Sequence, residues 1–395
     1  MIDDGIPADR AASVAARFDG ARLTLARQLA GLRKSELAAL IEKSATAVAA
    51  WEAGTKHPTA AVVALLTLRL GVDMEFFAFR GGGGLTSATT PHFRSLRSTS
   101  QIERDQAFAF GRLALAVSES LERRVELPVL DLPSEPVSTA ATDDAPERAA
   151  RALRDFWGLG DDPIRHVVRL VERHGVLVVF SPVQAATVDA YSLVGDTRPL
   201  VVLNPIKRDY YRQRFDVAHE LGHLVMHGDA EPGSRPAEDQ AHRFAAEFLA
   251  PESRLRELLP QVMNRQAWAT LARLKEEWGV SMQALLYRAR RLGCLSGVSY
   301  RNAMATITTR GWRRNEPGAI SLIERPSLLA KSVELLRDEG IETDQLCDEC
   351  GAPRGLFQIV TARMAEDEPP ADDRPQSSLT GEARSTVVSM LRARP

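Results

Sequence analysis

Cysteine and long apolar runs are scarce in this chain of 395 residues. The three cysteines, Cys294, Cys347 and Cys350, are few, and an odd number cannot all pair in disulfides. They therefore argue against a disulfide framework and fit a reducing compartment. No apolar run approaches the roughly 20 residues that a membrane-spanning helix needs. The first ten residues carry three aspartates and neither a basic head nor an apolar stretch, unlike a secretory signal. We therefore expect a cytoplasmic protein.

An excess of charge of one sign is also missing, because 50 Lys and Arg residues stand against 52 Asp and Glu residues. With a formal net charge of −2, any nucleic-acid binding must come from a local basic surface. Hydrophobic residues make up 44% of the chain and charged residues 26%, which is typical of soluble globular proteins and excludes fibrous or wholly disordered classes. The length predicts two or three domains.

Two segments with little to bury divide the chain. One is a run of four glycines at 81–84, and the other is the segment 131–147, rich in Pro, Ser, Thr and Asp. Between them, apolar residues at helical spacing predict one helix over 102–125, acting as a connector or in dimerisation. The predicted parts are a module at 20–80, a connector helix and linker at 81–148, an α+β domain at 149–297, a helical region at 298–365 and a flexible tail at 366–395.

Residues 22–77 show the pattern of five short helices. These helices are predicted at 23–29, 35–41 and 46–52, from Pro58 onward, and at 74–77. Six apolar residues on the second, third and fourth helices would meet in one core: Leu37, Ala38, Val48, Trp51, Leu65 and Leu66. The short link 42–45 has the length of the turn in a helix-turn-helix.

This stretch resembles the Cro-like, or XRE, helix-turn-helix family through the run RLTLARQLAGLRKSELAALIEKSATAVAAWEAGTKHP. The resemblance implies that the third helix enters the major groove of an operator, with four small residues facing the bases: Ser44, Thr46, Ala47 and Ala50. None of these residues offers the bidentate base contact that Arg, Gln or Asn would supply. Helix-turn-helix proteins usually read two-fold sites as dimers, so we expect a homodimer.

The same stretch is locally basic. Over residues 22–56, six basic residues outnumber three acidic ones. Contacts to DNA phosphates are expected from four of the basic residues: Arg33, Lys34, Lys43 and Lys56. The alternative is a protein-interaction module whose basic residues form a solvated face.

Residues 149–292 alternate between strand and helix patterns, which predicts an α+β domain. Strands are predicted at 176–181, 188–194 and 200–204. Helices are predicted at 149–157, 164–174, 208–227, 236–249, 266–278 and 281–292.

Half of the eight histidines fall within 24 residues, at 219, 223, 227 and 242. The sequence His219-Glu220-Leu221-Gly222-His223 is an HExxH motif, and its four-residue spacing puts both imidazoles on one helix face, where they can share one Zn²⁺. Glu220 can then reach a metal-bound water without binding the metal. Catalytic zinc requires a third protein ligand, and the helix opening near Pro236 offers Glu238, with Asp239, His242 and Glu247 as competitors.

Residues 149–293 resemble the ImmA/IrrE family of zinc metallopeptidases, through VDAYS at 188–192, PLVVLN, RFDVAHELGHLVMH and AEDQAHRFAAEFLAP. The resemblance implies that His219, His223 and Glu238 bind zinc and that Glu220 is the general base. Many relatives carry Asn where this chain has His242, whose role stays open between metal-site partner, transition-state donor and, the interpretation we favour, structural polar group. We interpret His227 as a packing residue or a partner of a ligand, because a fourth protein ligand would close the site.

Other signals are weaker. Residues 200–204 are expected to form an edge strand on which an extended peptide lies. Tyr191, Tyr210 and Tyr211 are candidate oxyanion donors, although core packing is the commoner role for such residues. Cys347 and Cys350 form a CxxC pair, but without a second pair we expect ordinary helix-turn residues rather than a redox or zinc site.

The sequence therefore predicts an all-α helix-turn-helix domain of five helices, an α+β zincin-like metallopeptidase domain and a small, mostly helical C-terminal region. The leading hypothesis is a DNA-binding regulator whose zinc endopeptidase cleaves a repressor. Two alternatives remain: a transcription factor whose zinc domain senses a small molecule or stress signal without cleavage, and a protease whose helix-turn-helix docks a protein partner.

Overall fold

The computed structural model describes residues 8–81, 92–93, 99–186, 188–228, 234–313, 315–318, 320, 323–364 and 392–393. Glycines 82–84 and the predicted flexible tail at 366–395, apart from residues 392–393, lie outside these residues. A helical N-terminal region is followed by an α+β region with a small sheet and by further helices, which confirms the predicted fold class. Within the described residues, no helix combines the length and the apolar composition that crossing a membrane requires.

The N-terminal region is built from short helices: α1 Ala8–Ala16, α2 Gly20–Leu29, α3 Lys34–Leu40, α4 Ala45–Glu52, α5 Ala60–Leu70 and a 3₁₀ helix Met74–Ala78. The side chains of Asp19 and Ser44 cap α2 and α4 by accepting hydrogen bonds from backbone amides of the first turn. Four predicted helices are confirmed, and the fifth is the 3₁₀ helix. The sequence did not predict α1, whose alanine-rich run brings only Ala11 and Val14 into the core.

Five of the six predicted core residues are buried: Leu37, Ala38, Val48, Trp51 and Leu66. The prediction for Leu65 is wrong, since 38% of its surface is exposed. Helix α5 turns Val62, Val63 and Leu66 inward, and Leu65 lies on the side of the helix away from them.

Helix α6, Gln101–Glu122, lies inside the molecule. Phe110, Leu113, Val117 and Leu121, the four residues that predicted it, are all buried. A Cβ on Gly111 would approach a methyl carbon of Leu193 to 2.0 Å, so only glycine lets the helix pack this closely on the sheet. Because the chain itself covers the apolar face of α6, the helix connects parts of one subunit and offers no apolar face for dimerisation.

The helix-turn-helix region packs directly on α6 and on the C-terminal helices. The Gln106 amide donates to the Leu29 carbonyl at 3.0 Å, at the end of α2. The Arg22 guanidinium is buried between the rings of Phe76 and Phe79 and donates to the Gly351 carbonyl at 3.0 Å. Specific hydrogen bonds, as well as the covalent chain, thus attach the N-terminal module to α6 and to the C-terminal helices.

The segment 127–144 after α6 runs along the surface of the α+β region without regular secondary structure. The amides of Glu135 and Val137 donate to the carbonyls of Val225 and Met226, and Leu132 packs against the hydrophobic core. Residues 131–145 include no fully buried residue, as expected, but Leu132 and Val137 are half-buried against the core. The composition of the segment disfavours helix and strand, but it does not prevent main-chain pairing with a neighbouring helix end.

The α+β region contains helices α7, Ala145–Phe156, and α8, Val167–Arg173, and a four-stranded sheet. The strands are β1 His92–Phe93, β3 Leu177–Phe180, β4 Ala190–Val194 and β5 Pro199–Leu203; β2, Val125–Glu126, pairs with β6, Arg392–Ala393, in a separate sheet. The order is β1-β4-β5-β3, with β5 parallel to β3 and antiparallel to β4. Residues 200–204 were expected at an edge, but β5 is paired on both sides, so that prediction is wrong.

The remaining helices are α9 Tyr210–Met226, α10 Arg235–Leu249, α11 Glu252–Leu258, α12 Arg265–Trp278, α13 Met282–Arg291, α14 Gly297–Thr309, α15 Leu328–Asp338, α16 Thr343–Cys350 and α17 Arg354–Val360. Helices cover both faces of the sheet. Val178 and Phe180 pack with α7 to α10, whereas Leu177 and Val179 pack with α6 and the C-terminal helices. Burial on both faces explains why the strands are apolar throughout rather than alternating.

Candidate functional site

Helix α9 carries the HExxH motif, and its two histidines are buried with their Nε2 atoms pointing to the same place. The Nε2 atoms of His219 and His223 lie 3.2 Å apart. From the neighbouring helix α10, the carboxylate of Glu238 reaches them at 3.3 Å from His219 and 3.5 Å from His223. The close packing of the two helices depends on Gly222, where a Cβ would come within 2.9 Å of the Phe244 ring.

The donor set fits a divalent metal. Both carboxylate oxygens of Glu238 are buried, and neither accepts a hydrogen bond of good geometry from the described residues. Burial opposes ionisation of Glu238, but the two imidazoles outweigh it and hold the pKa of this carboxyl well below its usual range. Two imidazole nitrogens and one ionised carboxylate are the protein ligands of many catalytic zinc sites.

Glu220 is fully buried beside this group and is fixed by the sheet. The hydroxyl of Ser192, on β4, donates to Oε2 of Glu220 at 2.8 Å. Because β4 crosses next to α9, it brings a residue 28 positions earlier in the chain onto the candidate general base. Sequence reasoning quoted Ser192 within a family motif but assigned it no role.

A chain of hydrogen bonds fixes the orientation of His223. The Gln240 amide nitrogen donates to the carbonyl of Ser138, so its oxygen accepts from Nε2 of His227 at 2.9 Å. Nδ1 of His227 must then accept the proton on Nδ1 of His223, 3.0 Å away. This tautomer leaves the Nε2 lone pair of His223 for a metal. Burial lowers the pKa of His227 to about 4, which keeps its ring neutral, as this arrangement requires.

His242 lies closer to the metal group than its sequence position suggested. Ligand atoms of His219, Glu238 and His242 all lie within 4.8 Å of one another. Nδ1 of His242 contacts the Glu238 carbonyl at 2.6 Å, so Nδ1 carries the proton and Nε2 is the metal-competent nitrogen. Asp239 is exposed, and Glu247 pairs with Arg151 and Arg288, so neither competitor joins the group.

The candidate oxyanion donors are engaged elsewhere. The buried Tyr191 hydroxyl donates to the Ala107 carbonyl at 2.6 Å, and burial raises the pKa of this phenol far above its usual value. The Tyr211 hydroxyl donates to the Gly318 carbonyl at 2.9 Å. The ring of Tyr210 packs edge-on against Tyr211 and beneath the Arg214 guanidinium. The structure thus favours packing roles for these three tyrosines.

Helix α4 is the helix that would enter the major groove, and its outer face is accessible. Ser44 and Thr46 are exposed, and Ala47 and Ala50 are half-buried on the same side. All four residues expected to contact phosphates are exposed: Arg33, Lys34, Lys43 and Lys56. Lys34 also pairs with Glu52 at 3.1 Å.

Two other cations counted in the basic stretch, Arg22 and Arg27, are buried. Arg27 pairs with Glu52 inside the module, and Arg22 donates to the C-terminal region. The basic surface of the module is therefore smaller than its composition implied.

The CxxC pair lies in α16. Both thiols are buried, and burial raises the pKa to about 12 for Cys347 and about 11 for Cys350. Thiols held protonated in this way are poor nucleophiles and poor metal ligands.

Two family models match the chain. A model of the IrrE N-terminal-like domain, from peptidase family M78, matches residues 171–290, which include strands β3 to β5, α9 and α10. A helix-turn-helix model matches residues 23–77. No curated protein matches the chain. The chain therefore joins an XRE-type helix-turn-helix, as in DNA-binding regulators, to a metallopeptidase-like domain of the IrrE/ImmA type.

Proposed function

We propose that this protein is a cytoplasmic transcriptional regulator that binds an operator as a homodimer and carries a zinc-dependent endopeptidase that cleaves a repressor. The convergence of His219, His223 and Glu238, with Glu220 alongside, carries the proposal. The match of residues 171–290 to a peptidase family supports it.

The residues present fit the hydrolysis of a peptide bond. Bound Zn²⁺ would supply a Lewis acid that acidifies a water molecule and polarises the scissile carbonyl. Glu220, with Oε2 held by Ser192, takes the proton of the water on its other oxygen and delivers it to the leaving amine.

The test uses the full-length protein loaded with Zn²⁺ and a peptide library prepared from a bacterial proteome. Glu220→Gln should retain one zinc per chain and lose cleavage, whereas Glu238→Gln should lose zinc as well. Sequencing the new termini reports cleavage, and elemental analysis reports zinc. If the wild-type protein binds zinc but cuts nothing, or if Glu220→Gln cuts as the wild type does, the peptidase proposal is wrong.

One observation favours a second candidate function, a zinc domain that senses a small molecule or stress signal without cleavage. His242 lies near enough to act as a fourth ligand, which would close the site. The d–d absorption spectrum of the Co²⁺-substituted protein separates the two functions. A spectrum of four protein ligands that changes on His242→Ala supports sensing, and an open site insensitive to His242→Ala supports hydrolysis.

DNA binding is tested with the full chain in gel-shift assays at several salt concentrations. Replacing Lys43 and Lys56 with Ala should reduce the slope of log K against log salt by about one for each phosphate that the variant no longer neutralises. Arg254→Ala, an exposed change on α11, is the control and should leave the slope unchanged. Absence of salt-sensitive binding to promoter DNA would instead favour docking of a protein partner.

A further inference from the structure

A cavity of about 510 Å³ opens beside the N-terminal half of α9. Its walls come from α9, from the start of α13 and from the loop after α14. Tyr211, Phe215, Val280 and Ala284 give it an aromatic and apolar floor. None of the residues proposed for catalysis lines this cavity.

The cavity continues the line of the metal ligands. Tyr211, Phe215, His219 and His223 follow one another at four-residue spacing and therefore share one face of α9. The Phe215 ring lies 6.4 Å from the His219 ring and 5.6 Å from the His242 ring, and it also lines the cavity. With a rise of about 1.5 Å per residue, Tyr211 lies roughly 12 Å from His219 along the helix axis. In an extended peptide with a rise of about 3.3 Å per residue, a side chain three or four residues from the scissile bond lies at this distance.

The acidic groups of the cavity are already satisfied by the protein. The Glu316 carboxylate accepts the amides of Met282 and Gln283 at 2.8 and 3.1 Å and pairs with the buried Lys275 at 3.1 Å. Asp209 caps α9 by accepting the Arg212 amide at 2.9 Å. These carboxylates therefore have little left with which to hold a cationic ligand.

Two arginines at the rim of the cavity have no carboxylate partner among the described residues. Arg208 and Arg313 line the cavity and are exposed, and among the described residues no carboxylate lies within 4.0 Å of either guanidinium. Arg212, by contrast, pairs with Asp189 at 2.8 Å and with Asp216 at 3.4 Å. The cavity thus combines an apolar floor with two guanidinium groups at its mouth, a combination that favours a ligand carrying a carboxylate.

We propose that this cavity is a substrate subsite that receives an acidic side chain of the cleaved protein, three or four residues from the scissile bond. The proposal rests on the proposed peptidase function. It assigns Arg208 and Arg313 as specificity-determining residues, which contact the acidic side chain, whereas Tyr211 and Phe215 contact the neighbouring backbone and methylene groups.

The test begins with the termini sequenced after digestion of the proteome-derived library by the zinc-loaded protein. Asp and Glu should be enriched at one position three or four residues from the cut. Two internally quenched peptides that differ only by Glu or Gln at that position are then compared. We expect the Glu peptide to have about a tenfold higher kcat/KM, because its carboxylate can accept hydrogen bonds from both guanidinium groups.

The Arg208→Gln/Arg313→Gln double variant should bring the ratio between the two peptides close to one. A matched double variant, Arg254→Gln/Arg265→Gln, removes two exposed charges away from the cavity and should keep the wild-type ratio. Arg313→Glu should shift the preference towards a Lys peptide. This inversion is not expected from a purely structural effect.

The outcomes separate the two proposals. Cleavage without an acidic preference, or a preference that survives Arg208→Gln/Arg313→Gln, overturns the subsite and leaves the peptidase intact. If Arg208→Gln/Arg313→Gln binds DNA more weakly but keeps the wild-type ratio between the Glu and Gln peptides, the two arginines contact DNA phosphates, and the subsite proposal is wrong. A zinc-loaded wild-type protein that cuts no peptide overturns both proposals.

Discussion

The hydroxyl of Ser192 donates a hydrogen bond of 2.8 Å to the carboxylate of Glu220, and both residues are completely buried. This bond links the sheet to the residue proposed as general base, and it makes Ser192 a positioning residue. Ser192→Ala should lower kcat about tenfold with little change in KM or in bound zinc, since the hydrogen bond orients a proton acceptor and touches neither ligand nor substrate.

Steady-state kinetics and zinc analysis check this prediction. Ser181→Ala, a change at a buried serine just after strand β3, is the matched control and should retain wild-type kcat. If Ser192→Ala loses zinc, or if kcat is unchanged, the positioning role is wrong.

Gln240→Leu should weaken Zn²⁺ binding by about 10- to 100-fold, because it removes the acceptor that fixes the tautomers of His227 and His223. Gln240→Glu keeps an acceptor oxygen and should lose less affinity. Competition with a chelator of known affinity measures the effect, and Gln345→Leu, an exposed change on α16, should bind zinc normally. Equal affinity in Gln240→Leu and the wild type would contradict the hydrogen-bond chain.

Glu42→Gly should raise the stability of the N-terminal module by about 1 kcal/mol. Glu42 is the one non-glycine residue with a positive φ among those described, at 53°, in the turn between α3 and α4. Glycine adopts this conformation without the steric penalty that a Cβ incurs. The thermal midpoint of the full chain should rise for Glu42→Gly but not for Glu42→Ala, and equal midpoints for the two variants would show that the backbone is not strained there.

Glu324→Gln should destabilise the fold by about 3 kcal/mol at pH 7, because it leaves the buried Arg214 guanidinium without its carboxylate. Burial alone would raise the pKa of Glu324, but His166 and Arg214 lower it to about 2. The stabilisation is therefore fully present above the ordinary carboxyl pKa and is lost as the pH falls from about 4.5 towards 2.

Thermal midpoints measured between pH 7 and pH 3 check this pH dependence. The difference in thermal midpoint between the wild type and Glu324→Gln should be constant above pH 5 and should become smaller below it. Glu252→Gln, which breaks an exposed pair with Arg256, should change stability by less than about 1 kcal/mol. A gap that widens on acidification would contradict the assignment.

In the native protein, Cys294 should be the first thiol alkylated at pH 8, because Cys347 and Cys350 are buried and their raised pKa values keep them protonated. Mass spectrometry after a short iodoacetamide pulse should find one modified thiol, and three after unfolding. In Cys294→Ser no thiol should react quickly. Rapid alkylation of Cys347 would reopen a redox role for the pair.

Local patterns predicted most of the elements. Apolar spacing predicted the helices around 210–226 and 235–249 to within a few residues, and the HExxH spacing placed His219 and His223 on one helix face. The choice of Glu238 as the residue beside them came from the resemblance to the ImmA/IrrE family. These features depend on residues close together in the chain.

Relationships between distant segments were not predictable in this way. Strand β5 lies in the centre of the sheet. Its apolar sequence would suit a central or an edge strand equally, because helices cover both faces of the sheet. The contacts of Ser192 with Glu220 and of Gln240 with Ser138 join residues 28 and 102 positions apart. The burial of Arg22 requires a carbonyl from the C-terminal helices, which the N-terminal sequence cannot reveal.

The position of Arg22 bears on how this protein can be dissected. Its guanidinium donates to Gly351, 329 positions later, and burial lowers its pKa to about 10. A truncated protein that ends after the 3₁₀ helix would lose that acceptor and would expose the side of α2 that α6 covers. Weak DNA binding by such a fragment would therefore reflect its own instability, and DNA binding is best tested with the C-terminal helices attached.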